Sequence, residues 1–166
     1  MDEELKKKIT FEISEIDILL DHASVLLQKC KVQEPDFIEL SAVGSTLHSF
    51  YNGLENIFQL IRKEIDKTND TSGRWHADLL DAMFKETENR PAVIDESLRT
   101  PLSDYMGFRH FFRHAYGYHL RWDLAKPLFE NMQETWNFTK ECVLKFTEPV
   151  SNSDVKQNDS NTQNPN

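Results

Sequence analysis

The sequence predicts an all-α protein, an up-and-down bundle of about five helices. Three observations point there. Apolar side chains recur in steps of three and four along most of the chain, the spacing of one helix face, with no alternating strand pattern. Gly occurs 5 times and Pro 6 times in 166 residues, so chain-breaking positions are few. The 11 Phe residues supply bulky apolar surface for a core.

The first stripe is Ile9, Ile13, Ile16, Leu20, Ala23 and Leu27, on a helix over residues 4–30. Pro35 closes the connector, and Asp36 is placed to cap the second helix. That helix carries Leu40, Val43, Leu47, Phe50, Leu54, Ile57, Ile61 and Ile65, and should run to Asp66. Residues 67–74 are polar and turn-forming and read as a loop. A short helix from Trp75 to Lys85 carries Leu79, Leu80 and Met83. Pro91 suits the first turn of a further helix. Thr100-Pro101 looks like another start, so residues 92–117 are either one kinked helix or two abutting ones. Gly117 sits where that segment should end, and Asp123 is expected to cap a last helix with Leu124, Leu128, Met132 and Trp136. One domain over residues 1–148 follows. Residues 149–166 have almost no bulky apolar side chains and read as a disordered tail.

The net charge is −9, so the chain as a whole repels phosphates. Any nucleic-acid role must come from a local basic patch. The two cysteines, Cys30 and Cys142, are far apart and in no metal or redox spacing, which fits a reduced, cytoplasmic compartment. No apolar run approaches the ~20 residues of a membrane span, and the acidic start Met1-Asp2-Glu3-Glu4 does not resemble a signal peptide.

The informative segment is Phe108-Arg109-His110-Phe111-Phe112-Arg113-His114-Ala115-Tyr116. At about 100° per residue, with Arg109 at the origin, Tyr116, Arg113, His110 and His114 fall between about −20° and about 140°. Phe108, Phe111, Phe112 and Ala115 fall on the other side. Such a face is often no more than a solvated surface, but solvated faces use Lys and Glu. Between Tyr105 and Trp122 there is no Lys, Asp or Glu, while Arg109, Arg113, Arg121, His110, His114 and His119 all lie there. That is a local anion-attracting patch in an acidic chain. The residue types suit phosphodiester chemistry. Histidine exchanges protons near pH 7, and arginine clamps phosphate and stabilises charge developing on it. RNA carries its own nucleophile, the 2′-hydroxyl. Arg plus His is then a sufficient minimum, with no metal or cofactor required.

Arg109, four residues, His114, one residue and Tyr116 give an R-x4-H-x-Y pattern. It resembles the motif of HepT-like toxins in the HEPN superfamily. The likeness extends through Phe50–Ile57, Trp75–Leu80, Arg90–Ile94 and Phe108–Tyr118, over residues 5–146. The resemblance implies a HEPN-like bundle and a metal-independent endoribonuclease, the toxin of a type II toxin–antitoxin system. It implies a homodimer in which the Arg and His of two protomers meet in a cleft. Arg109 would stabilise phosphate charge and His114 would transfer protons. It implies, too, a minimal nucleotidyltransferase antitoxin that adenylylates Tyr116, placing bulk and negative charge beside Arg109. The alternative of another class is a non-catalytic helical module that docks a nucleotidyltransferase or binds nucleotide without cutting RNA. Many HEPN motifs carry a small polar residue after the arginine. His110 stands there instead, in a supporting role as hydrogen-bond donor or second proton carrier, with Arg113 beside it.

Other residues have competing readings. His110 and His114 are four apart, a zinc-compatible spacing, but no third ligand is near and the arginines oppose a cation. Glu55, on a stripe with Tyr51 and beside Asn52, is either an acid orienting Arg109 or His114 or half of a structural pair with Tyr51. His76 either joins the site or is an exposed or capping histidine, the plainer expectation. His22 and His48 read as structural or surface residues.

Overall fold

A computed structural model describes residues 1–68, 74–114, 116 and 119–148. The tail from 149, most of the loop after the second helix, Ala115, Gly117 and Tyr118 lie outside the described residues, and with them the expected tail and helix end. Five α-helices follow one another among the described residues: α1 (Glu3–Val32), α2 (Phe37–Ile61), α3 (Trp75–Met83), α4 (Arg99–His114) and α5 (Trp122–Thr147). None is long and apolar enough to cross a membrane.

The predicted stripes are the buried faces. On α1, Ile9, Ile13, Ile16, Leu20 and Ala23 are buried. Helix α2 packs against each of the other four. It accordingly buries a broad face, from Val43 through Leu47, Phe50, Tyr51, Leu54 and Ile57 to Ile61. Asp36 caps it as expected, in a full capping box. The Asp36 side chain accepts from Glu39 N at 2.9 Å, and the Asp36 backbone donates to Glu39 Oε2 at 3.1 Å. The helix continues to Asp66 as the sequence reading has it, but its last turn, Arg62–Asp66, is a π-helix closed by Lys67 in the left-handed region (φ 56°).

Aromatic residues lock the bundle. Phe50 meets the Tyr105 ring of α4 edge-on at 5.0 Å and the Trp136 ring of α5 at 6.4 Å. Trp136 then donates to Asp17 of α1 at 2.7 Å.

Two expectations are corrected here. No helix begins at Pro91. The backbone N–H groups of Val93 and Ile94 instead donate to Met83 O, at 2.8 and 3.2 Å, closing the end of α3. Both donors thus tie this stretch back to α3, and both side chains are buried in the core. Helix α4 starts only after Asp95 caps a short 3-10 turn at Glu96–Leu98, so Pro101 lies in its first turn, where a missing N–H costs nothing. Nor does Asp123 cap α5. Arg121 occupies the cap position, and Asp123 sits one residue inside the helix, paired with Arg121 at 3.0 Å.

Candidate functional site

Three helices aim polar groups at one point. Helix α2 contributes His48, Asn52 and Glu55, in steps of four and three down a helix that is otherwise largely apolar. Helix α3 contributes His76 from its first turn, and α4 contributes Arg109. The Arg109 guanidinium is anchored at all three nitrogens. Nε donates to Asn52 Oδ1 at 2.6 Å, Nη1 to His76 Nε2 at 3.3 Å, and Nη2 pairs with Glu55 Oε2 at 3.1 Å. Glu55 Oε1 also meets His76 Nδ1 at 2.6 Å.

The valences fix the protons. Arginine can only donate, so His76 Nε2 is the acceptor and its hydrogen sits on Nδ1, pointing at Glu55. Asn52 accepts from Arg109, so its amide nitrogen donates to His48 Nε2 at 3.0 Å. The His48 hydrogen is therefore on Nδ1, which is buried and has no partner among the described residues. One charged group thus orders four others.

Burial sets the electrostatics. Glu55 is 2% exposed, and loss of water pushes its carboxyl up to about 7, while Arg109 and Arg113 pull it back. Loss of water also depresses His76, with Arg109, Arg113 and His110 adding to the effect, down to about 4. His48 is lowered by burial first and by the same two arginines. His76 and His48 are thus neutral acceptors at pH 7, and Arg109 is held at a single buried carboxyl group, that of Glu55.

Arginine carries five N–H donors; among the described residues Nε and Nη1 each make one hydrogen bond, and Nη2 makes an ion pair with Glu55. One on Nη1 and one on Nη2 remain. The side chain keeps 12% exposure, a narrow opening for an anion. Along the following stretch of chain His110, Arg113 and His114 are exposed, the two histidines with ring centroids 5.0 Å apart, and Tyr116 is 72% exposed.

A family model described as HepT-like protein matches residues 42–150. The chain belongs to the HepT-like family. No curated protein and no solved structure matches it. The matched stretch takes in α2 from residue 42 onward, all of α3, α4 and α5, and every residue of the cluster, leaving α1 outside it.

In this HepT-like protein the polar side of α4 is not one face, as the helical wheel has it. Arg109 turns into the bundle, while His110, Arg113 and His114 face outward. Phe111, assigned to the apolar side, is 42% exposed. Within one chain, therefore, Arg109 and His114 serve different surroundings. Glu55 meets Arg109 rather than Tyr51, whose buried hydroxyl has no partner among the described residues. The expectation that His76 is exposed or capping is wrong. It is half-buried, stacks on Trp75 with centroids 3.5 Å apart, and bridges Glu55 to Arg109. The signal was present in the sequence. Three polar residues in helical register on a helix buried on most sides must find partners, and His76 and Arg109 supply them. Of the residues left as structural or surface, His22 is exposed and His48 joins the cluster through Asn52.

Proposed function

We propose that this HepT-like protein is a metal-independent endoribonuclease, the toxin half of a type II toxin–antitoxin pair. The observation that carries the reading is a half-buried guanidinium with two spare N–H groups, at the foot of an exposed His110–Arg113–His114 turn. The spare donors suit a phosphate oxygen and would strengthen as charge builds on the phosphorane. A base removes the 2′-hydroxyl proton, and the 2′-oxygen attacks phosphorus. The P–O5′ bond breaks, leaving a 2′,3′-cyclic phosphate and a 5′-hydroxyl that receives a proton. His114 is the proton-transfer residue, and His110 and Arg113 support it. Because Arg109 faces inward and His114 outward, the site is completed in a homodimer, with the imidazole of one protomer serving the guanidinium of the other. Tyr116 lies exposed beyond α4, accessible to a minimal nucleotidyltransferase antitoxin that would adenylylate it.

One observation favours the non-catalytic docking module: Glu55 already occupies one edge of Arg109. Cleavage decides between the two. Folded protein with unmodified Tyr116 should cut RNA in EDTA, and His114→Ala and Arg109→Ala should each lose about 100-fold or more. RNA left intact by the wild type after long incubation would leave the docking module as the better reading. Light scattering at micromolar concentration should show a dimer, and a monomer would remove the composite site.

A further inference from the structure

We propose that His76 is a positioning residue for Arg109, the third anchor that fixes the plane of its guanidinium. The inference rests on the ribonuclease reading for the identity of the phosphate that Arg109 meets, but not for the geometry. Asn52 and Glu55 both come from α2 and hold Nε and Nη2. Two anchors still let the guanidinium tilt about the line joining them. His76 holds the remaining nitrogen, Nη1, from a different helix, and three points define a plane. The two unused N–H groups lie in that plane, so its tilt decides where they aim.

The imidazole is itself immobilised. Glu55 takes its Nδ1–H at 2.6 Å, Arg109 occupies Nε2, and the Trp75 ring lies against its face. A histidine whose only task is to attach α3 would not require this. Leu79, Leu80 and Met83 already bury α3 in the core. His76 is also neutral, so it directs Arg109 without cancelling its charge, which a second carboxylate would do.

The two arms of the imidazole can be separated in the full-length protein. His76→Gln places an amide oxygen near the Nε2 position and keeps an acceptor for Arg109. His76→Asn places an amide nitrogen near Nδ1 and keeps only the donor to Glu55. The Arg109 Nε–H resonance, assigned with Arg109→Lys, and its response to inorganic phosphate report the guanidinium directly. His76→Gln should keep the wild-type resonance and phosphate affinity within about threefold, whereas His76→Asn should weaken phosphate about tenfold. In cleavage, His76→Asn should lose on the order of 10- to 100-fold in kcat with KM little changed, with Gln restoring most of it. Equal behaviour of the two variants, or a wild-type Arg109 resonance in His76→Asn, would overturn the proposal. If wild type cuts no RNA, the ribonuclease reading fails and the phosphate titration still decides this one. Should either variant fail to fold, nitrogen-15 spectra of wild-type imidazoles decide. His76 must carry its hydrogen on Nδ1, and an Nε2–H tautomer would overturn the inference.

Discussion

His76 Nδ1 and Glu55 Oε1 sit 2.6 Å apart, and burial moves their proton affinities in opposite directions. Glu55 is raised from 4.5 to about 7, so alone it stabilises the fold below pH 4.5 and loses that contribution as pH rises toward 7. His76 is lowered from 6.5 to about 4, so alone it stabilises the fold above pH 6.5 and loses that as pH falls toward 4. Between those limits the unfolded pair holds one proton, on His76, and the folded pair also holds one, on Glu55. The pair should therefore contribute almost no pH dependence in the wild type. Single substitutions unmask it. Relative to wild type, Glu55→Gln should grow more stable from pH 4.5 to 6.5 and His76→Asn less stable, each by up to ~1.4 kcal/mol per pH unit. Urea unfolding across that range reads both slopes. Slopes of the same sign would sink the assignment of opposite shifts.

Much of this architecture was legible beforehand, and the failures have a common cause. The stripes on α1 and α2, and the Asp36 cap, follow from local spacing and local hydrogen bonding, which the sequence carries directly. The start of α4 does not, because Val93 and Ile94 spend their N–H groups on Met83, a partner from another element. The same holds at the site. Arg109 and His114 stand out by residue type and spacing, but which way each faces is set by what α2 and α3 offer. Asn52 and His76 are ordinary residues until Arg109 lies between them.

Arg90 fastens the chain that leaves α3 to the end of α2. It is 5% exposed and forms a two-pronged pair with Asp66, Nε to Oδ1 and Nη2 to Oδ2, both at 2.8 Å. It also donates to the backbone oxygens of Ala82, Lys85 and Pro91. A point-charge ammonium cannot reproduce that fork. Arg90→Ala strands the Asp66 carboxylate and removes a donor from each of three carbonyls, and should cost about 3–5 kcal/mol. Arg90→Lys should recover only part of this. Denaturant midpoints at constant m-value measure both, and a loss under 1 kcal/mol for Arg90→Ala would show that the pair is solvated or replaced.

Two glycines on α2 should separate stability from site geometry. A Cβ on Gly53 would lie 2.7 Å from Ile16 Cγ1, on the α1 side. A Cβ on Gly44 would lie 2.5 Å from Phe112 Cε2 and 2.7 Å from Leu120 Cδ2, on the α4 side. Alanine in place of glycine favours a helix by about 1 kcal/mol, but overpacking costs about 1–3 kcal/mol, so each change should destabilise by up to about 2 kcal/mol net. Their effects on the site differ. Phe112 lies against His48, ring centroids 5.5 Å apart, and His48 accepts from the Asn52 that holds Arg109. Pushing Phe112 therefore disturbs the guanidinium, whereas pushing Ile16 does not. Gly44→Ala should weaken phosphate binding at Arg109 and Gly53→Ala should leave it unchanged, at matched fractions folded. If both glycine variants bind phosphate like wild type, the path from Phe112 through His48 and Asn52 to Arg109 carries no mechanical coupling.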